Sequence, residues 1–281
     1  EQANENGMAH YIEHCVFKGT EHYTARQIIN HIEGIGGEIN AYTTKEETTF
    51  YAATLSNHFR TTLHLLADMV MRPTFNKKET DKEVTVILDE IESYNDSPSE
   101  LIYDDFENMV FEGSSLAMPI LGTKKTLRRI SKSPDIALNW MQQHYRPERM
   151  VLFVQGNVTT KQVISAAERE LGEVPHISSL SSHSSLSSHS SLSSHSSMPS
   201  ATTRTYKRHT HQTHIMLGSH AYPIGHEKQL TMYLLNNILG GGSMSSRLYL
   251  SLREKYGLVY NIDSQAVPLS DTGYWNIYLA C

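Results

Sequence analysis

The most constraining feature of this 281-residue chain is a tract that cannot fold. Residues 178–197 are three copies of Ser-Ser-Leu-Ser-Ser-His followed by Ser-Ser. A six-residue period matches neither a helix face nor a strand face. Serine at this density buries too little apolar surface to offset the entropy of ordering the chain. The tract reads as a flexible linker. A metal-binding His tract is the alternative, weakened by the five residues between successive His. The chain therefore divides into a body of residues 1–176, a linker of 177–200 and a second piece of 201–281.

Composition narrows the class of each piece. The chain is 39% hydrophobic and 19% charged, which suits packed cores and excludes a collagen-like or wholly disordered chain. No apolar run approaches the roughly 20 residues of a membrane span. A net charge of −6 gives no general electrostatic case for nucleic acid. Two cysteines, Cys15 and Cys281, exclude a disulfide scaffold and a cysteine-built zinc site. The chain opens at Glu1 without a basic or apolar leader and closes on a strand-like Gly273–Cys281. The expectation is a fragment with sequence missing at both ends; a cytoplasmic location is the default.

The pattern along the chain predicts an α+β fold. Helices are expected over 7–18, 25–35, 57–71, 78–94, 99–111, 126–131, 134–145 and 159–171. Two strands with a turn near 45–47 occupy 38–55, and Met150–Gln155 reads as a buried strand. The second piece reads as a strand at 213–220, helices at 227–239 and 245–255, and strands at 258–265 and 272–280.

The segment Gly7–Thr20 contains His10-Tyr11-Ile12-Glu13-His14. On a helix, His10 and His14 share a face and both imidazoles can reach one ion. Glu13 lies beside the pair, where a carboxylate can take a proton from an activated water. Chance alone produces such a spacing in roughly one chain in 15 of this composition, so context decides. A surface helix of polar residues is the bland alternative. A catalytic zinc site also needs a third protein ligand. Residues 83–92 carry an apolar helical stripe of Val84, Ile87, Leu88 and Ile91, with Glu83 and Glu90 on its edge. A carboxylate at the margin of a buried face is expected to be paired or metal-bound; a solvated acidic face is the alternative.

Gly7–Thr20 resembles the signature of pitrilysin-type zinc metallopeptidases, the inverzincins. That resemblance implies Zn²⁺ held by His10, His14 and Glu90, with Glu90 standing where the family has its third ligand. It implies that Glu83 supports the site and that Glu13 is the general base. Gly36–Thr43 resembles the family's substrate-binding edge strand, which makes Gly37, Glu38, Ile39, Asn40 and Ala41 candidate substrate-binding residues. An exposed strand edge can take an extended peptide through main-chain hydrogen bonds. Pro119–Thr123 and Tyr145-Arg146-Pro147 resemble later parts of the same domain. Leu239–Gly242, Ser245–Leu248 and Arg253–Tyr260 resemble the second homologous domain. By the same resemblance Arg253 and Tyr260 grip the substrate carbonyl and its tetrahedral intermediate.

The implied architecture is two homologous domains of helices on mainly antiparallel sheet, the second incomplete, in a processing-peptidase-like member of bacterial type. The first sheet is expected to lack its N-terminal strands. The implied activity is zinc-dependent hydrolysis of peptides or unfolded segments. A second copy of the chain or a related subunit is the expected partner, with no nucleic acid and no membrane span. The alternatives are a non-catalytic scaffold or processing-complex subunit of the same family, and a His-rich metal buffer. Cys15 reads as helix packing.

Overall fold

In the computed structural model, which describes residues 1–172, 201–208 and 210–281, nearly every expected helix forms. The linker segment, 177–200, lies outside the described residues. Helix α1 spans Met8–Val16, and Met8, Tyr11, Ile12, Cys15 and Val16 bury one face of it. Helix α2, Ala25–Glu33, starts on a capping box between Thr24 and Gln27 and buries Ile28 and Ile32. Strands β1, Glu38–Thr43, and β2, Thr48–Ala53, pair antiparallel from Glu38↔Ala53 to Thr43↔Thr48. Helices α3, Phe59–Met71, α4, Lys77–Asn95, and α5, Pro98–Val110, follow. Helices α6, Lys124–Ile130, α7, Pro134–His144, and α8, Thr160–Leu171, begin on the side-chain caps Thr123, Ser133 and Thr159.

One core gathers α1, α2, α3, α4, α6 and α7 around Ile12, Ile32, Leu65, Met69, Ile87 and Leu127. Each such side chain stabilises the fold by about 1.5–3 kcal/mol on leaving water. The start of α1 is set by backbone contact. Gly7 takes a left-handed φ of 87°, and a Cβ there would lie 2.7 Å from the Cα of Gly122. Gly122, at φ 75°, would in turn bring a Cβ within 2.6 Å of the Asn6 carbonyl. Two residues without side chains thus let the 119–123 loop cross the N-terminus of the histidine helix.

The second sheet has the order β3-β5-β4, all antiparallel. Strand β3 is His214–His220, β4 is Asn261–Pro268 and β5 is Gly273–Ala280. Helix α9, Gln229–Gly240, covers β4, and its Asn236 amide donates to the Ser264 carbonyl at 2.8 Å. Helix α5 packs on β3, so Phe106, Phe111 and Ala117 share a second core with Leu269 and Tyr274. Arg204 ties the returning chain to α5 through Asn108 and Glu112. Mixed helix and antiparallel sheet is the fold class expected.

Three expectations need correction. Met150–Gln155 is not a buried strand: no described strand pairs with it, and Val151 and Phe153 are 94% and 81% exposed. An apolar run becomes a buried strand only beside a neighbour, and among the described residues the first sheet holds β1 and β2 alone. The helix expected over 245–255 starts at Arg247 and is π-helical over Tyr249–Lys255. The strand expected from 258 begins at Asn261. The helix closes first, with Gly257 and Leu258 donating to the carbonyls of Arg253 and Leu252.

Candidate metal centre

Burial of Ile87 seats α4 against α1, and that packing brings Glu83 and Glu90 to the histidines. The His10 Nε2 and His14 Nε2 atoms each lie 3.7 Å from one Glu90 carboxylate oxygen. One ligand atom from each of His10, His14 and Glu90 falls within 4.8 Å of the others. The His14 Nδ1 lies 3.2 Å from a Glu83 oxygen, and the Lys18 ammonium lies 2.8 Å from the other. With Nδ1–H donated to Glu83, the Nε2 lone pair of His14 faces His10 and Glu90. Glu83 is buried, and Lys18 supplies the opposite charge on one side while His14 supplies a hydrogen bond on the other.

The electrostatics fit a cation. Burial, helped by the neighbouring His14, lowers the His10 pKa to about 4, so its imidazole stays neutral and keeps a free lone pair. Burial raises the carboxyl of Glu90; Glu13 adds to the rise and His14 opposes it. A divalent ion held here would supply a positive charge close to these donors. Two imidazole nitrogens and one carboxylate oxygen are a catalytic zinc donor set. Tetrahedral bonds of about 2.0–2.1 Å place ligand atoms roughly 3.3 Å apart, which the 3.7 Å separations approach.

Glu13 points to the first sheet, where the Thr43 hydroxyl donates to its carboxylate. Strand β1 pairs only with β2 among the described residues, so its other edge is open. Along β1, Glu38 and Asn40 face out while Ile39 and Ala41 turn inward. The Asn40 Oδ1 accepts from the Ala41 N–H at 2.9 Å. Gly37 sits where a Cβ would lie 2.8 Å from the Ala53 carbonyl. Arg253 and Tyr260 are together, with the guanidinium 5.5 Å from the phenol ring centre. Among the described residues neither hydrogen-bonds nor ion-pairs with His10, Glu13, His14 or Glu90.

Sequence reasoning missed Thr43 and Lys18. Thr43 had a signal: strand alternation puts it on the face of Ile39 and Ala41. Lys18 lies beyond the end of α1, and only tertiary packing brings it to Glu83. Cys15 is buried in the core, as expected.

Comparison with known proteins places the family and the fold. Residues 1–124 match the family model for insulinase, peptidase family M16, and residues 133–281 match that for the M16 peptidase inactive domain. An uncharacterized zinc protease of Bacillus subtilis strain 168 is 36% identical over 273 residues, covering 97% of this chain and 63% of that protein. One from Rickettsia bellii is 35% identical over 278 residues, covering 99% of this chain and 64% of that protein. The fold resembles the crystal structure of a protease from Helicobacter pylori, with a TM-score of 0.83 at 19% identity, covering 100% of this chain and 66% of that one. An M16 peptidase inactive domain from Pseudomonas fluorescens gives 0.81 at 19% identity, covering 99% and 65%.

The scaffold is that of a metallopeptidase family whose relatives are named zinc proteases. The chain belongs to peptidase family M16. It spans slightly less than two thirds of the length of these curated relatives.

Proposed function

We propose that this chain carries the reaction centre of a zinc-dependent endopeptidase, with His10, His14 and Glu90 as the metal ligands. The observation that carries the reading is the convergence of these three donor atoms, with the Glu13 charge near enough to help raise the Glu90 carboxyl. Zinc held there would supply Lewis acidity, which would polarise a peptide carbonyl and lower the pKa of water toward neutral. Glu13 takes the proton from the attacking water and returns it to the leaving amine. Glu83 fixes the His14 ring by accepting from Nδ1. The open edge of β1, with Gly37, Glu38, Ile39, Asn40 and Ala41, holds the substrate as an added strand, which demands little of its sequence. Peptides and unfolded segments are the substrates such an edge accepts.

Arg253 and Tyr260 are assigned to the developing oxyanion. Neither bonds to the cluster, so that role requires the segment that carries them to approach it when substrate is bound. Their mutual packing and the 72% exposure of Tyr260 support a surface kept open for substrate.

Zinc stoichiometry and hydrolysis of a quenched-fluorescence peptide test the reading on wild type, His14→Ala and Glu13→Gln. The expected result is one zinc in wild type and Glu13→Gln, hydrolysis in wild type alone, and neither zinc nor hydrolysis in His14→Ala. A folded wild type that holds no zinc would favour a scaffold role instead.

A further inference from the structure

Among the described residues Glu13 has one hydrogen-bond donor from another side chain, the hydroxyl of Thr43 at the end of β1. Directly across the ladder Thr43 pairs with Thr48, and their hydroxyl oxygens lie 3.1 Å apart. One hydroxyl proton is therefore committed to the Glu13 carboxylate, and Thr48 donates to the Thr43 oxygen from behind. The Tyr145 hydroxyl is buried beside Thr48 and Glu13, with no hydrogen bond of good geometry. Tyr145 packs against the first core and lies edge-on to Trp140, so this wall of the site is closely packed.

A glutamate side chain has three rotatable bonds, and a general base works only when one carboxylate oxygen faces the proton it removes. Helix α1 fixes the backbone of Glu13 but not the plane of its carboxylate. We propose that Thr43, backed by Thr48, is a positioning residue that sets the orientation of the Glu13 carboxylate. This inference rests on the reading of Glu13 as proton acceptor. Thr43 ends the same strand whose edge is assigned to substrate. Its hydroxyl faces the helix while the main chain of β1 continues toward the peptide, so one strand aligns substrate and base together.

The test compares Thr43→Val, nearly isosteric but without a donor, with Thr43→Ser, which keeps the hydroxyl. In the zinc-loaded chain Thr43→Val is expected to lower kcat for a quenched peptide by about 10- to 100-fold. KM and zinc stoichiometry stay at wild-type values, and Thr43→Ser recovers most of the loss. A second readout needs no activity. In the metal-free protein the shift in urea midpoint caused by Thr43→Val is expected to be larger with Glu13 present than in a Glu13→Ala background.

Wild-type kcat in Thr43→Val, or Thr43→Ser as impaired as Thr43→Val, would overturn the positioning role. Equal midpoint shifts in both backgrounds would overturn the coupling itself. A wild-type chain that holds zinc but hydrolyses no peptide overturns the peptidase reading instead, and the metal-free comparison separates the two failures.

Discussion

The Lys45 ammonium lies 2.9 Å from one oxygen of the Glu107 carboxylate, whose other oxygen accepts the Tyr274 hydroxyl at 2.6 Å. Lys45 sits in the β1–β2 turn, Glu107 on α5 and Tyr274 on β5. In the same turn the Glu46 carboxylate accepts from the Ser270 N–H at 2.9 Å. The hairpin that supports Glu13 is thereby joined to the second sheet.

That ion pair makes the first prediction. The Lys45 and Glu107 side chains are only 11% and 13% exposed, so removing one partner strands a buried charge. Lys45→Met is expected to destabilise the protein by about 3–5 kcal/mol. The double variant Lys45→Met/Glu107→Gln recovers part of that loss, because the amide still accepts from Tyr274. Urea unfolding of the three proteins checks this; a double variant no better than Lys45→Met alone would count against it.

A second prediction concerns the metal. Glu83→Gln keeps an acceptor for His14 but removes the charge that holds its tautomer. Zinc affinity is expected to fall by about 10- to 100-fold. Competition with a chromogenic chelator measures it, and an unchanged dissociation constant would remove Glu83 from the support of the site.

Asp68 sets a pH dependence. Burial raises its carboxyl, but hydrogen bonds from Thr20, His22 and Arg72 outweigh burial and leave it below the ordinary value of 3.8. The folded pKa is lower than the unfolded one, so the unfolded state binds the proton more tightly. The stabilisation is fully present above the unfolded value and is lost as pH falls through the folded one. Asp68→Asn is expected to cost about 1–3 kcal/mol near neutral pH. The gap from wild type should close in acid. Denaturation across a pH series decides, and a gap that persists undiminished into strong acid would refute the assignment.

The two thiols should differ in reactivity. Burial pushes the Cys15 thiol up to about 12, with Cys15 inside the first core, whereas Cys281 is exposed. Alkylation of the native protein in mild base should modify Cys281 at least about 100-fold faster than Cys15. Peptide mapping after a short pulse of iodoacetamide reads this directly; comparable labelling would show that α1 opens readily.

Much of the fold and site follows from local pattern. The i, i+4 spacing of His10 and His14 and the seven-residue spacing of Glu83 and Glu90 place each pair on one helix face without tertiary information. The helix start after Thr24 is legible at Ala25, whereas α6 starts at Lys124, two residues before the expected 126, because the Thr123 hydroxyl satisfies a backbone donor of its first turn. Resemblance, not spacing, singled out Glu90 from the other acidic residues of its helix.

Tertiary structure decided the rest, because those features depend on partners far away in the chain. Whether Met150–Gln155 becomes a strand depends on a neighbour to pair with, and its own apolar run carries no information about one. The donor from Thr43 to Glu13 and the pairing of Lys18 with Glu83 arise where separate elements meet. The sequence by itself determined that His10 and His14 share one helix face, as do Glu83 and Glu90, since helical spacing is a local property. Packing alone decided which groups orient them, since orientation is fixed by contacts between elements that no local period encodes.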